Sequence, residues 1–182
     1  MKKILIIITI FFSTISTISA EEIKRIFVGD KDAKITIIAY ESLTCSHCAN
    51  FHKDVYPELK KNYLDTGLAK IEFRHFPLDI AAFNASKVSQ CNNDGDSKIL
   101  NSLFANQQKW VKGSSIEEAN ENLKKFLVSE SYNVDFEKCI NDKEIEDFVL
   151  NDRIDGVKKY KVNATPTIII NNKKFEKTLN YK

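Results

Sequence analysis

Past its first twenty residues, the 182-residue chain has no apolar run approaching the roughly 20 residues that a membrane-crossing helix needs. The one apolar stretch, Met1 to Ala20, opens with Lys2 and Lys3, continues as "ILIIITIFF" and ends in the small residues "STISTISA". That is the pattern of a secretory leader, with cleavage expected near Ala20. No cysteine stands near that point, so the leader carries no lipid-attachment signal. A surplus of one charge is lacking too. Of 27 Lys and Arg, Lys2 and Lys3 leave with the leader, and the remaining 25 face 25 Asp and Glu. A balanced chain has no pull toward nucleic acid or another polyanion. Internal repeats, low-complexity tracts and flexible linkers are also missing. The expectation is an exported protein about one domain in size, with a core large enough to fold without metals and no stable membrane insertion.

Cysteine is scarce, and its placement carries information. Cys45, Cys48, Cys91 and Cys139 are an even number in a disulfide-permissive compartment, so two pairs is the first expectation. A zinc site normally wants a second CxxC or a matching His pair, whereas Cys91 and Cys139 stand alone. His52, four residues after Cys48, leaves open an alternative in which Cys45, Cys48 and a histidine carry a metal such as copper. A peptide-binding module with an idle dithiol is a third reading.

The cysteine pair sits in "AYESLTCSHCANFH", between two differently patterned segments. Before it, "ITIIA" (Ile35 to Ala39) is β-branched and continuous, which suits a strand covered on both faces. After it, Phe51, Val55 and Leu59 recur every four residues until "LDTG" closes the run at Gly67, which predicts an amphipathic helix. "AKIEFRHF" then reads as a strand that Pro77 ends. Strand, helix, strand implies parallel neighbours in one sheet. From Leu78 to Tyr160 the spacing turns helical, predicting four or five helices, one opened by a capping box at Ser115 and Glu118. Phe104, Trp110, Phe126 and Phe148 are read as the core of that block. Finally "NATPTIIINNKKFEKT" predicts a hairpin turning at Asn-Asn.

Geometry assigns roles to the two sulfurs. Cys45 falls at or just before the helix N-terminus, where unpaired N–H groups and the dipole favour a thiolate; Cys48, one turn on, faces the sheet. A dipole contribution of about 0.3–2 kcal/mol is worth about one pKa unit or slightly more, at about 1.36 kcal/mol per unit. The strongest dithiol oxidants need several units. His47, between the cysteines, is expected to supply the rest through a hydrogen bond or positive charge to Cys45. A stabilised thiolate makes the disulfide form the stronger oxidant. His52 and His75 are read as ordinary structural residues.

These residues resemble the DsbA-like branch of the thioredoxin superfamily, on "ESLTCSHCANFH", "FRHFPLD", the helical block and "NATPT". The chain is similar in particular to the exported DsbA-like proteins of α-proteobacteria. The resemblance implies an α/β thioredoxin fold with an inserted helical domain: residues 21–77, an insertion over 78–160, and residues 161–182, the last piece short of the family's final helix. It implies a periplasmic thiol:disulfide oxidoreductase that needs no cofactor and oxidises exported proteins with free thiols. A quinone-linked membrane reoxidase of the DsbB type is the implied partner. Thr165 and Pro166 match the family's cis-proline loop beside the reactive sulfur. Threonine there is also seen in isomerases, so a disulfide isomerase or reductase is the alternative within the same chemistry. Cys91 and Cys139 match the family's second pair, read as a structural disulfide worth about 4 kcal/mol in the chain-entropy model. Two positions depart from the family pattern. Ser46 replaces the proline before the active-site histidine, and Ala39 replaces the buried acid that serves the resolving thiol. Glu41, on the same strand face as Ala39, is expected to take over that acid's work, or else to be a solvated carboxylate at the strand end.

Overall fold

The computed structural model describes residues 22–180, so the leader expected over Met1–Ala20 lies outside the described residues. Five strands form one mixed sheet in the order β1-β3-β2-β4-β5. They are β1 (Phe27–Gly29), β2 (Ile35–Glu41), β3 (Ala69–His75), β4 (Thr167–Ile170) and β5 (Lys173–Lys174). β2 and β3 are parallel, with Ile37 opposite Ile71, Ala39 opposite Phe73 and Glu41 opposite His75. β2 runs two residues further than its β-branched stretch predicts, because Tyr40 and Glu41 are buried rather than solvated. Asn171 and Asn172 turn β4 into β5 at φ +45° and +66°, the left-handed pair of a tight hairpin turn that asparagine tolerates. Gly29, at φ +105°, lets β1 lie so close to β3 that a Cβ would sit 2.5 Å from the Ala69 carbonyl oxygen.

The chain after the cysteines is helical from Ser46 to Leu64, but not uniformly α. α1 (Ser46–Asn50) and α2 (Tyr56–Leu59) alternate with π-helical turns at Phe51–Val55 and Lys60–Leu64. The burial pattern explains the alternation: Cys48, His52, Tyr56 and Leu64 are all buried and all separated by multiples of four. That period exceeds the 3.6 residues of an α-helical turn, and wider π turns keep such a repeat on one face. Pro57 adds a local cause, since it has no N–H to give the carbonyl four residues back. Just before it, the Tyr56 N–H reaches Phe51, five residues back.

Six helices follow among the described residues: α3 (Ile80–Gln90), α4 (Lys98–Ala105), α5 (Gln107–Trp110), α6 (Ile116–Ser129), α7 (Phe136–Asn141) and α8 (Lys143–Tyr160). The expected four or five undercounts them because two breaks are single residues. Asn106 leaves helical geometry between α4 and α5, and Asp142, extended, ends α7 while capping α8 at the Glu144 and Ile145 N–H groups. At α6, Ser115 accepts from the Glu118 N–H as predicted. The Glu118 carboxylate returns one residue beyond the expected box, to the Ser114 N–H at 2.7 Å.

The sheet carries different cover on its two faces. Ile37, Ala39, Ile71, Phe73 and Ile168 pack with Phe51, Tyr56 and the helical block in one large core. α8 runs from that block onto the other face, where Ile38, Tyr40, Phe76, Val162 and Ile169 form a second cluster. Gly156 makes the approach feasible, since a Cβ there would meet the Tyr40 ring at 2.8 Å. Asp152 of α8, fully buried, accepts from Arg25 at 2.5 Å and from the His75 N–H at 3.1 Å, which ties α8 to the strands. A disulfide joins Cys91, at the end of α3, to Cys139 of α7, across 48 residues of chain. Phe104, Trp110 and Phe126 are buried in the helical core. Phe148 is not: α8 carries it past the block, where it is half-buried under the Arg25 guanidinium, 4.8 Å from its centroid. Residues 175–180 contain no helix. Among the described residues no helix is long and apolar enough to cross a membrane.

Candidate active site

β2 ends at Glu41, and three residues later the chain enters α1 with Cys45 as its N-cap, extended at φ −78° and ψ 119°. This junction exposes one sulfur and hides the other. Cys45 is partly exposed and Cys48 fully buried, both as free thiols. The consequence is a wide split in acidity. The Cys45 thiol is held down to about 5, first because the Cys48 thiol donates a hydrogen bond to it. Partial burial opposes that fall, while the Thr165 side chain and the backbone N–H groups of Cys48 and His47 reinforce it. Cys48 is driven far above the ordinary thiol range, chiefly by burial, then by its donation to Cys45 and the nearby charge of Glu41.

Thr165 and Pro166 lie against the reactive sulfur, and the peptide bond between them is cis. The Cys45 thiol donates to the Thr165 carbonyl oxygen at 3.4 Å. That contact holds the protonated form, whereas the Thr165 hydroxyl, buried with no other partner, is free to donate to the thiolate. The His47 side chain is exposed, and its backbone N–H is one of the groups that lower Cys45, because the first helical turn points its amides back at the N-cap. His47, Phe51, Thr165, Pro166 and Leu179 line a groove of about 370 Å³ beside Cys45.

Glu41 is 4% exposed, which removes the solvated-carboxylate reading. Its Oε2 lies 2.9 Å from His52 Nε2, and the side chains of Glu41 and His52 are 3% and 5% exposed. Burial pushes the Glu41 carboxyl up, and His52 pulls it partly back. The His52 ring is stacked on Phe104 at 4.1 Å between centroids and tilted against Phe73 at 5.3 Å. Sequence reasoning set His52 aside; its signal was the four-residue spacing from Cys48, which places both on one helix face. His52 is thereby committed to Glu41, and among the described residues no group of three His, Cys, Asp or Glu side chains is placed to hold a metal ion. His75 keeps a structural place, with Nε2 3.3 Å from Gln90 Oε1.

Gln107 had no signal in the sequence at all. Its Nε2 donates to the carbonyl oxygens of Leu43 at 2.7 Å and Cys45 at 3.0 Å, so the helical block grips the loop that carries the sulfur. Such side chain to backbone contacts leave no residue pattern to read at the receiving end.

The thioredoxin family model matches residues 21–182. Alpha-DsbA1 of Wolbachia pipientis is 32% identical, superposes with a TM-score of 0.72, and is matched over 84% of this chain and 79% of that one. BdbD of Bacillus subtilis superposes with a TM-score of 0.67 at 23% identity over 84% of each chain, which speaks for the fold alone. A Rickettsia bellii relative named as a protein-disulfide oxidoreductase is 29% identical over 79% of this chain and 56% of its own. The chain spans about half the length of the Rickettsia relatives it matches. A family model that runs the length of the described fold, with a solved relative sharing a third of its residues, places the chain in the thioredoxin family, among its DsbA-like members.

Proposed function

We propose that the protein is a periplasmic thiol:disulfide oxidase that introduces disulfides into exported proteins through Cys45 and Cys48. The observation that carries the reading is the acidity split within one CxxC: Cys45 held down to about 5 while its neighbour is driven up by burial. A client thiolate attacks Cys45 of the enzyme disulfide, the S–S bond breaks, and its electron pair leaves on Cys48, which takes up a proton. A second client thiolate then attacks the client sulfur, and Cys45 departs as a stable thiolate. The client gains one disulfide, and the enzyme keeps two electrons and one proton. A stable leaving thiolate favours this direction. The groove beside Pro166 is where the client chain lies, and Glu41 is the acid that serves Cys48. No cofactor enters these steps, and a DsbB-type quinone-linked membrane protein takes the electrons away.

The deciding experiment equilibrates the Cys45–Cys48 pair with glutathione, Cys91–Cys139 left intact. An oxidase has a potential well above the about −270 mV of thioredoxin, toward the about −120 mV of the strongest oxidant. A value at or below thioredoxin's sinks the reading in favour of a reductase. Refolding of a scrambled substrate, run beside insulin reduction, separates oxidase from isomerase.

A further inference from the structure

His52 uses only half of its ring on Glu41. Nε2 faces the carboxylate at 2.9 Å, and Nδ1, on the opposite side of the ring, is buried without a hydrogen-bond partner. The residue also lines a pocket of about 590 Å³ between the helical run after the cysteines and α4–α5, with Lys53, Tyr56, Lys60, Asn101 and Gln107. Its wall is largely apolar, from Ala49, Pro57, Phe104 and Ala105, but these polar groups give water a place to bind in a pocket of that size. Cys48, by contrast, is fully buried one helical turn before His52 and has no such opening of its own.

We propose that His52 is the proton carrier for the buried sulfur, passing protons between water in this pocket and Glu41, which exchanges them with Cys48. The proposal rests on the exchange chemistry above and adds the route by which its proton travels. When the enzyme disulfide breaks, the electron pair arrives on Cys48 and the Glu41 carboxyl gives it a proton. His52 restores that proton from Nε2, and Nδ1, sealed from water in the resting structure, takes one when the pocket wall opens to admit a water to it. Reoxidation runs the sequence backwards: Cys48 returns its proton to Glu41, Glu41 to Nε2, and Nδ1 releases one to water, which resets the ring. His52 acts through Glu41 and is a positioning residue that does not touch the sulfurs.

Few other groups compete. His75 faces Glu41 from β3, and burial lowers its pKa below the ordinary imidazole value. Cys45 and Cys48 come from α1, Tyr56 from α2, and Lys53 and Lys60 stand in the pocket wall. The α4–α5 wall contributes the neutral Asn101, Gln107 and Gln108.

The test follows single-turnover reduction of the Cys45–Cys48 disulfide by glutathione from pH 5 to 9. It compares wild type with His52→Phe, which keeps a ring against Phe104, and with His52→Ala with and without added imidazole. Both variants should slow at pH 7 by about tenfold, less than the about 100-fold of direct acid catalysis because the residue acts at one remove. Imidazole should restore most of the rate in His52→Ala, in proportion to its concentration, and nothing in His52→Phe. A His52→Phe protein with the wild-type rate and pH profile overturns the proposal. So does a His52→Ala protein that is folded by near-ultraviolet circular dichroism, slow, and indifferent to imidazole. If His52→Ala does not fold, the His52→Phe profile decides alone. A wild-type pair inert to glutathione is a separate result, which removes the exchange reading and the relay with it.

Discussion

Gln107 holds Cys45 by its backbone: the side-chain amide of a residue in α5 donates to the Cys45 carbonyl oxygen at 3.0 Å and to Leu43 at 2.7 Å, 62 and 64 residues away in the chain. The loop that carries Cys45 is therefore set by both halves of the fold, strand on one side and helical block on the other. Gln107→Ala removes two hydrogen bonds, each worth about 0.5–1.5 kcal/mol. A stability loss of about 1–3 kcal/mol by urea unfolding is expected, together with slower exchange from a loosened loop. A variant with wild-type stability and rate means that the loop holds itself.

The acidity of Cys45 links redox state to pH. Its folded value, about 5, lies below the ordinary thiol value of 9.0, so it stabilises the folded reduced protein fully above pH 9 and loses that effect as pH falls through 5. The disulfide form has no thiol to titrate there. Urea unfolding of both forms at pH 4 and pH 8 should show the reduced form gaining on the oxidised form at pH 8. Thiolate absorbance at 240 nm should rise near pH 5. A rise confined to above pH 8, or an equal gap at both pH values, contradicts the assignment.

Glu41 has the opposite sign. Its carboxyl is pushed up by burial, so ionising it costs stability, and the folded protein loses ground as pH rises from the ordinary carboxyl range through the raised value. Glu41→Gln should flatten that decline while altering the pH dependence of exchange. An unchanged exchange profile shows that Glu41 does not serve Cys48.

Gly156 is set against Tyr40, and Gly156→Ala tests two opposed effects. Alanine improves an exposed helix by about 0.5–1 kcal/mol, but overpacking a tight contact costs about 1–3 kcal/mol. With a Cβ only 2.8 Å from the ring, the clash wins, and thermal unfolding should come earlier while exchange at Cys45 is unchanged. A more stable variant shows that the Tyr40 ring moves aside freely.

Cys139 is fully buried and its bond to Cys91 closes a loop of 48 residues. Replacing both by alanine should lower stability by up to about 4 kcal/mol and leave the Cys45–Cys48 potential where it was. A shifted potential shows that the second pair reaches the first.

Much of this architecture was legible in the residues, and the failures have physical causes. The parallel β2–β3 pair followed from the strand, helix, strand order, and the Asn-Asn hairpin from turn chemistry, because both are local rules. Cys45 and Cys48 were placed by the same junction. His52 was visible as a spacing but not as a role, since its meaning depends on Glu41 pointing at the same interior from another element. The backbone amide of His47 went unremarked because an imidazole is conspicuous in a sequence, whereas an N–H that every residue carries is not. Phe148 was misplaced because α8 changes sheet face after α7, and helical periodicity carries no information about which layer a helix joins.

The alternation of α and π turns between Ser46 and Leu64 sets the angular phase of everything after it. Deleting one residue between Phe51 and Val55 would convert the wide turn to an ordinary one and leave Tyr56 within about 20° of the Cys48 face, because seven residues at about 100° each nearly close two turns. The segment thus has slack built into its length, and chains of this fold that lack one residue at the wide turn should keep the same side chains inside.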